Sequence, residues 1–404
     1  MTSELPAGAR STDEPPRVAL IGASGHGLWH RRQLAPLHQA GVLRLVGLAD
    51  VRPVEPAPEA PVPDGAAVFT DHRQMLAQVR PEVVIICTPP YTHLPIALDA
   101  LTAGADLLLE KPPVLSLDEH RRLAAALAGH GRVCQVGFQA LGSAALAELT
   151  AAATDGRLGT VTGISTVAAW RRDDAYYRRS PWAGRRSVHG QPSLDGALAN
   201  PLAHATMQCL AVAAAVEPGA PMLVELERYR VRPIEVDDTA SMRITLDSGL
   251  AIVVAVTLAG EEFIAGEVLV HGTAGTAVLE YPTDRLRLPG EPQLTVVPGR
   301  VGLLENLLAH RRDPAGVALV APLARTEAFT ALLEVVQAAP EPCLLGADRT
   351  ASTGTVGADR VLTIDGINAI VRRSAAELAL FSEQEVPWAV RPHRAWLGQE
   401  VAAG

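Results

Sequence analysis

Arg17-Val-Ala-Leu-Ile-Gly-Ala-Ser-Gly-His-Gly27 sets a short apolar run directly against a glycine-rich turn. The run Arg17–Ile21 has the length and composition of a strand buried on both faces. A helix pattern follows from about Leu28 to Ala40, so the turn holding Gly22, Ser24, Gly25, His26 and Gly27 lies between a strand and a helix. At that place a dinucleotide pyrophosphate meets backbone amides and the positive end of the helix dipole. Glycines there permit a tight turn and close approach of phosphate oxygens. The spacing G-x-x-G-x-G departs from the usual G-x-G-x-x-G order. The second strand, Leu43–Ala49, ends in Asp50, 23 residues after Gly27. That is close to the ~20-residue offset of the carboxylate that binds ribose hydroxyls. A carboxylate favours NAD, because it would repel the extra phosphate of NADP; Arg52, two residues on, leaves NADP open.

Outward from this stretch the alternation continues. Val54–Gly65 is proline-rich and reads as an irregular loop. Then come a helix (Asp71–Val79), a strand (Val83–Cys87), a helix (Leu94–Gly104), a strand ending at Glu110, a helix (Ser116–Gly131) and a strand (Val133–Gly137). Strands and helices of these lengths in alternation predict βαβ units and a parallel, doubly wound sheet. Two of its strand ends carry chemistry. Cys87-Thr88-Pro89-Pro90-Tyr-Thr-His93 forms a proline turn that can lie against the nicotinamide-ribose half of a dinucleotide. Ala105-Asp-Leu-Leu-Leu109 closes on Glu110-Lys111-Pro112-Pro113, which sets a charged side chain at the carboxyl end of a strand, where α/β sheets bind ligands. The prolines remove two amide donors and stop the strand.

Beyond a helix over Ala144–Thr154 the pattern changes. Strand-like segments crowd together at Thr160–Trp170, Met222–Val231, Thr239–Leu246, Ala251–Leu258, Glu267–Val270 and Thr276–Tyr281. Tight links such as Asp247-Ser-Gly249 favour hairpins. A helical insert runs over roughly Pro201–Val216, and later helices over Ala324–Ala338 and Ile364–Phe381. The expected fold is α/β: an N-terminal Rossmann doubly wound parallel sheet and a C-terminal α+β domain with an open, mostly antiparallel sheet. The expected divisions are a disordered tail over 1–16, a Rossmann domain over 17–139, a substrate and oligomerisation domain over 140–340, and an extension over 341–404.

Composition narrows the function. A net charge of −9 argues against a nucleic-acid-binding surface. Four cysteines without a C-x-x-C pair suit free thiols in a reducing compartment, not a disulfide framework or a zinc site, and no metal is expected. The polar start lacks a secretory core, and the longest apolar run, Leu250–Gly260, is too short to span a bilayer. A cytoplasmic protein without membrane or nucleic-acid partners is expected. Of the 5 Trp and 5 Tyr, four fall within Trp170–Trp182, interleaved with arginines. Aromatic faces beside guanidinium forks, here Arg171, Tyr176, Tyr177, Arg179 and Trp182, suit a polyhydroxylated ring.

Taken in order, RVALIGASGHG, ADV, CTPPYTH and LLLEKPP resemble the Gfo/Idh/MocA oxidoreductase family over roughly residues 17–340. The resemblance implies a Rossmann domain followed by an α/β domain whose sheet mediates homodimers or homotetramers. It places the Lys111 side chain beside the nicotinamide and the reacting carbon, and marks Lys111–Pro112 as a candidate cis bond. It also implies that the loop after Trp170 lines the substrate pocket. The family's Asp-x-x-x-His segment matches Asn200-Pro-Leu-Ala-His204. Read as one helix face, Asn200 and His204 would meet one substrate, with His204 as general base. Asparagine in place of aspartate can bond a hydroxyl but supplies no charge to the histidine. The implied function is NAD(P)-dependent hydride transfer with a sugar or cyclic polyol, catalysed by Lys111, His204 and Asn200. A non-catalytic ligand sensor and a glycoside-cleaving enzyme using transient oxidation by bound NAD are the alternatives.

Overall fold

The computed structural model describes residues 14–188, 190–356 and 359–397; residues 1–13, most of the expected tail, lie outside the described residues. The chain divides into two compact units.

The first unit, which takes residues up to 110, 123–135 and 303–320, is built on a six-stranded sheet. Its strands are β1 (Arg17–Ile21), β2 (Arg44–Ala49), β3 (Ala67–Phe69), β4 (Val83–Ile86), β5 (Asp106–Leu109) and β6 (Cys134–Val136), in the order β3-β2-β1-β4-β5-β6. β1 pairs in parallel with both β2 and β4, so the chain order reverses beside it. Such a reversal opens a crevice at the carboxyl ends of the strands. Val18, Ala19 and Leu20 in β1 and all four residues of β4 are fully buried, as runs covered on both faces must be. The intervening helices are α1 (Gly27–Gln39), α2 (His72–Val79), α3 (His93–Thr102) and α4 (Leu117–His130). Asp71 caps α2 by accepting the Arg73 amide at 2.8 Å.

Two elements of this unit were not anticipated. β3 is a three-residue strand, too short to show a period in the sequence, and its register on β2 is Gly47–Ala49 against Ala67–Phe69. The helix Leu303–Arg312 returns from far along the chain. Its buried Leu303, Leu304, Leu307 and Leu308 form one face, and Arg311 is bonded to Glu82 at 2.9 Å and to Asp106. Those partners lie over 200 residues earlier, so no local signal announces the contact.

The second unit is α+β. Its sheet runs in the order Thr295–Val296, Arg285–Arg287, Gly275–Glu280, Ala259–Gly272, Val161–Arg171, Ala251–Thr257, Thr239–Leu246, Pro221–Arg230, Cys343–Leu344, with His393–Trp396 also paired to Pro221–Arg230. Pairing is mostly antiparallel, and the expected hairpins are present around Asp247–Gly249 and Gly272–Gly275. The central strand Val161–Arg171 is buried continuously from Gly163 to Ala169, so both its faces are covered. α5 (Ala144–Thr154) precedes the sheet, and α6 (Ala203–Val216) packs on the central strand. Ile367, Val371 and Ala375 of the helix Ile367–Glu377 form a core with Val167, Ala169 and Ala255. The chain's own C-terminal segment thus covers that face of the sheet. Asn368 fastens it by accepting the Glu261 amide at 2.8 Å, and Ser165 Oγ donates to Ala375 O at 2.7 Å.

Candidate functional site

In the first unit the glycine turn is shaped by backbone collisions. Gly22 has φ +87°, and a Cβ there would sit 2.2 Å from the Cys87 carbonyl oxygen. A Cβ on Gly27 would sit 1.8 Å from Gly22 O. Neither position admits a side chain, so the turn stays low over the end of β1. Space around Gly25 is open. Asp50, at the end of β2, accepts the Ser24 amide at 2.9 Å and the Arg52 amide at 3.0 Å. The expected ribose-binding carboxylate thereby also fixes the glycine turn. A low turn at a helix N-terminus beside a strand-end acid fits a dinucleotide.

The proline turn is held from beneath. Thr92 Oγ1 donates to Pro89 O and shares a 2.7 Å bond with Thr88 Oγ1. His93 is fully buried, with Nε2 2.9 Å from Thr88 O, and so orients Thr88 and the Pro89-Pro90 segment from below. Burial pushes the Cys87 thiol far up, helped by the charges of Glu110 and Asp50. It is a packing group, not a nucleophile.

Glu110 closes β5 and is buried, with Oε1 2.9 Å from His30 Nε2 and 3.6 Å from His26 Nε2. Burial by itself raises a carboxyl pKa. The hydrogen bonds and charges of the two imidazoles override it and hold Glu110 well below the usual carboxylate range. Their three ligand atoms lie within 4.8 Å of one another, a donor set that a metal can use. The direct His30–Glu110 bond already satisfies the buried pair.

The second unit begins at Lys111, and the Lys111–Pro112 peptide is cis, as the resemblance implied. Lys111 Nζ donates to Asn200 Oδ1 at 2.6 Å and to Asn200 O at 2.9 Å. It is also the only lysine in the sequence; every other basic residue counted with it is arginine. A chain that uses arginine everywhere else has a compact point-charge ammonium at this one place, where it donates to both oxygens of Asn200.

The expected helix face carrying both Asn200 and His204 is corrected by the structure. α6 starts at Ala203, and Asn200 lies in the turn before it. Pro201 disfavours helical geometry in the residue it follows. Two acceptors in Asn200, side chain and main chain, therefore face Lys111, whereas His204 sits in the first turn of α6 with its ring edge-on to Phe138, 5.6 Å between centroids.

The turn presenting Asn200 depends on residues the sequence left unassigned. Asp195, 2% exposed, accepts Asn200 Nδ2 at 2.6 Å, the Gly184 amide at 2.9 Å and Arg179 Nη2 through both oxygens at 2.9 Å. Arg179 is clasped between Tyr176, 3.7 Å from the ring centroid, and Trp182, 4.6 Å. Arg172 also stacks on Tyr176, 4.7 Å from its ring centroid, and on Trp170, 4.9 Å. The Tyr177 ring stands edge-on to Tyr176, and burial raises its hydroxyl pKa well above the ordinary value. Arg171 points elsewhere, donating Nε to Gly260 O. Asp237 accepts the Leu198 amide at 3.1 Å, and its main-chain oxygen accepts Ala197 N at 2.9 Å. A Cβ on Gly196 would meet Asp237 Oδ1 at 2.5 Å, so that glycine is what lets the carboxylate in. The Asp195-Gly196 pair was the available sequence signal.

Residues 16–138 match a family described as an oxidoreductase family with an NAD-binding Rossmann fold. A D-glucoside 3-dehydrogenase of Escherichia coli (strain K12) is 30% identical over 167 residues, 40% of this chain and 45% of that protein. An inositol 2-dehydrogenase of Rubrobacter xylanophilus is 33% identical over 130 residues, 32% of this chain and 37% of the relative. The chain thus spans less than half the length of these relatives. In fold it is similar to the WlbA dehydrogenase of Bordetella pertussis, solved with NADH and UDP-GlcNAcA (TM-score 0.63, 21% identity, 80% of this chain and 95% of that one). It is also similar to a levoglucosan dehydrogenase solved with NADH (TM-score 0.64, 18% identity, 80% and 96%). Among the described residues no helix is long and apolar enough to cross a membrane.

Proposed function

We propose that the chain, whose residues 16–138 match the Gfo/Idh/MocA oxidoreductase family, is an NAD-dependent dehydrogenase or reductase acting on a hydroxyl-bearing carbon of a sugar or cyclic polyol. Bound NAD would supply the hydride acceptor or donor. Gly22, Ser24, Gly25, His26 and Gly27 would take the pyrophosphate, Asp50 the adenosine ribose, and the Thr88–Pro90 turn with Glu110 the other half. The relatives act, by name, on a glucoside and on inositol, which supports the polyol class.

Lys111 carries this reading. An ammonium held by Asn200 Oδ1 and Asn200 O is a fixed positive charge for an oxygen that gains negative charge as its proton leaves. His204 is assigned the transfer of that proton, and Asn200 orients the substrate hydroxyl through its contact with Lys111. Tyr176 and Trp182 offer faces to the ring, whereas Arg171, turned to Gly260 O, does not reach it as the sequence led us to expect.

The test is NADH absorbance with purified chain across a panel of sugars and polyols, beside Lys111→Ala. Turnover by the wild type and its loss in the variant, with NAD affinity kept, is the expected result. Undiminished turnover in Lys111→Ala overturns the assignment. Tight NAD binding without turnover on any substrate would favour the sensor reading.

A further inference from the structure

We infer that Asp195 is a positioning residue: it fixes the side-chain amide of Asn200 and, through it, orients the Lys111 ammonium. The inference rests on Lys111 being the group that meets the substrate hydroxyl.

An ammonium only donates hydrogen bonds, an ionised carboxylate only accepts them, and an amide does both. Asn200 stands between one of each. With Oδ1 toward Lys111 at 2.6 Å and Nδ2 toward Asp195 at 2.6 Å, both bonds are made and both are charge-assisted. Turned over, the amide would present NH2 to the ammonium and oxygen to the carboxylate, losing both bonds at once. Asp195 therefore leaves Asn200 a single orientation. Its own position is fixed from three sides, by the Gly184 amide, by Asn200 and by Arg179. The negative charge that position 200 lacks is thus present one residue farther out, and it reaches Lys111 through a polarised amide.

The same geometry links the aromatic loop to the lysine. Arg179, stacked on Tyr176 and Trp182, competes with Lys111 for the charge of Asp195. Loss of Arg179 should strengthen the hold on the ammonium, and loss of Asp195 should weaken it.

The sole lysine makes this directly measurable. Protein labelled with 13C- and 15N-lysine yields one side-chain signal, and its titration reports Lys111 whether or not the chain turns over a substrate. In Asp195→Asn the midpoint should fall by about one pH unit, since a nearby opposite charge is removed. In Asp195→Asn/Asn200→Asp, where the carboxylate is returned next to the lysine, the midpoint should return to the wild-type value or rise above it. Arg179→Gln should move it upward, and it carries the test if Asp195→Asn proves too unstable to titrate. A midpoint unmoved in Asp195→Asn, or in Arg179→Gln where that variant carries the test, overturns the inference. Turnover is read in parallel: kcat should fall in Asp195→Asn and recover in the double variant with KM for NAD unchanged. Absence of turnover in the wild type would count against the dehydrogenase reading and leave the titration result standing on its own.

Discussion

His30 Nε2 lies 2.9 Å from Glu110 Oε1, tying the helix that begins at the glycine turn to the carboxylate that ends the fifth strand, 80 residues later. The contact fixes the height of the turn over the sheet and keeps a charged group buried. It also couples the geometry of the glycine turn to acid titration.

His30→Ala should therefore destabilise the protein at neutral pH by about 1–3 kcal/mol, the cost of leaving a buried carboxylate short of a partner. The sign of the pH dependence follows from the direction of the shift. Glu110 is held below its usual range, so its contribution is present above the unfolded value, about 4.3, and is lost as pH falls toward the folded value. Urea unfolding at pH 3 and pH 6 should show a gap between wild type and Glu110→Gln that narrows at the lower pH.

Gly22→Ala should abolish tight NAD binding. The added methyl would lie 2.2 Å from Cys87 O at a backbone conformation of φ +87°, so β1 and the proline turn must separate. A fluorescence titration with NADH measures the loss, which we expect to exceed tenfold, and a thermal melt should show a lower midpoint. Unchanged affinity would mean that the turn does not hold the dinucleotide.

Lys111→Arg should keep the fold and lose at least about a hundredfold in kcat, the scale of a positioned proton-transfer or charge-stabilising group. The charge is conserved, but the planar fork cannot replace a point donor held by Asn200 Oδ1 at 2.6 Å and Asn200 O at 2.9 Å. Steady-state kinetics beside a thermal melt separates the two effects.

Asp238→Asn should change the pH profile of stability. Burial pushes the Asp238 carboxyl up to about 6, against hydrogen bonds from the Val231 amide and Thr239 and the charge of Arg232. The folded state then holds the proton more tightly than the unfolded chain between about pH 4 and pH 6, so this group makes stability fall as pH rises through that window. The full penalty, roughly 3 kcal/mol, is in place at pH 7. Relative to wild type, Asp238→Asn should gain stability from pH 4 to pH 7 in urea unfolding. A constant difference across that range would sink the argument.

Much of this protein was legible in its residues because the governing rules are local. A strand covered on both faces must be apolar, so β1, β4 and β5 stood out. A tight turn between a strand and a helix favours glycine, so Gly22 stood out; a Cβ there would lie 2.2 Å from the Cys87 carbonyl oxygen. Asp50 and Lys111 were marked by standing at strand ends, and the hairpins by the turn residues between them. Tertiary structure alone decided what those groups touch. The helix Leu303–Arg312 joined the first unit because Arg311 meets Asp106 and Glu82, a pairing across more than 200 residues. Asn200 left the helix expected of it because Pro201 follows, and its amide turned to Lys111, 89 residues earlier. Asp195 had no motif of its own. A hydrogen bond needs two groups within about 3 Å, and sequence spacing fixes that distance only inside a single helix, strand or turn.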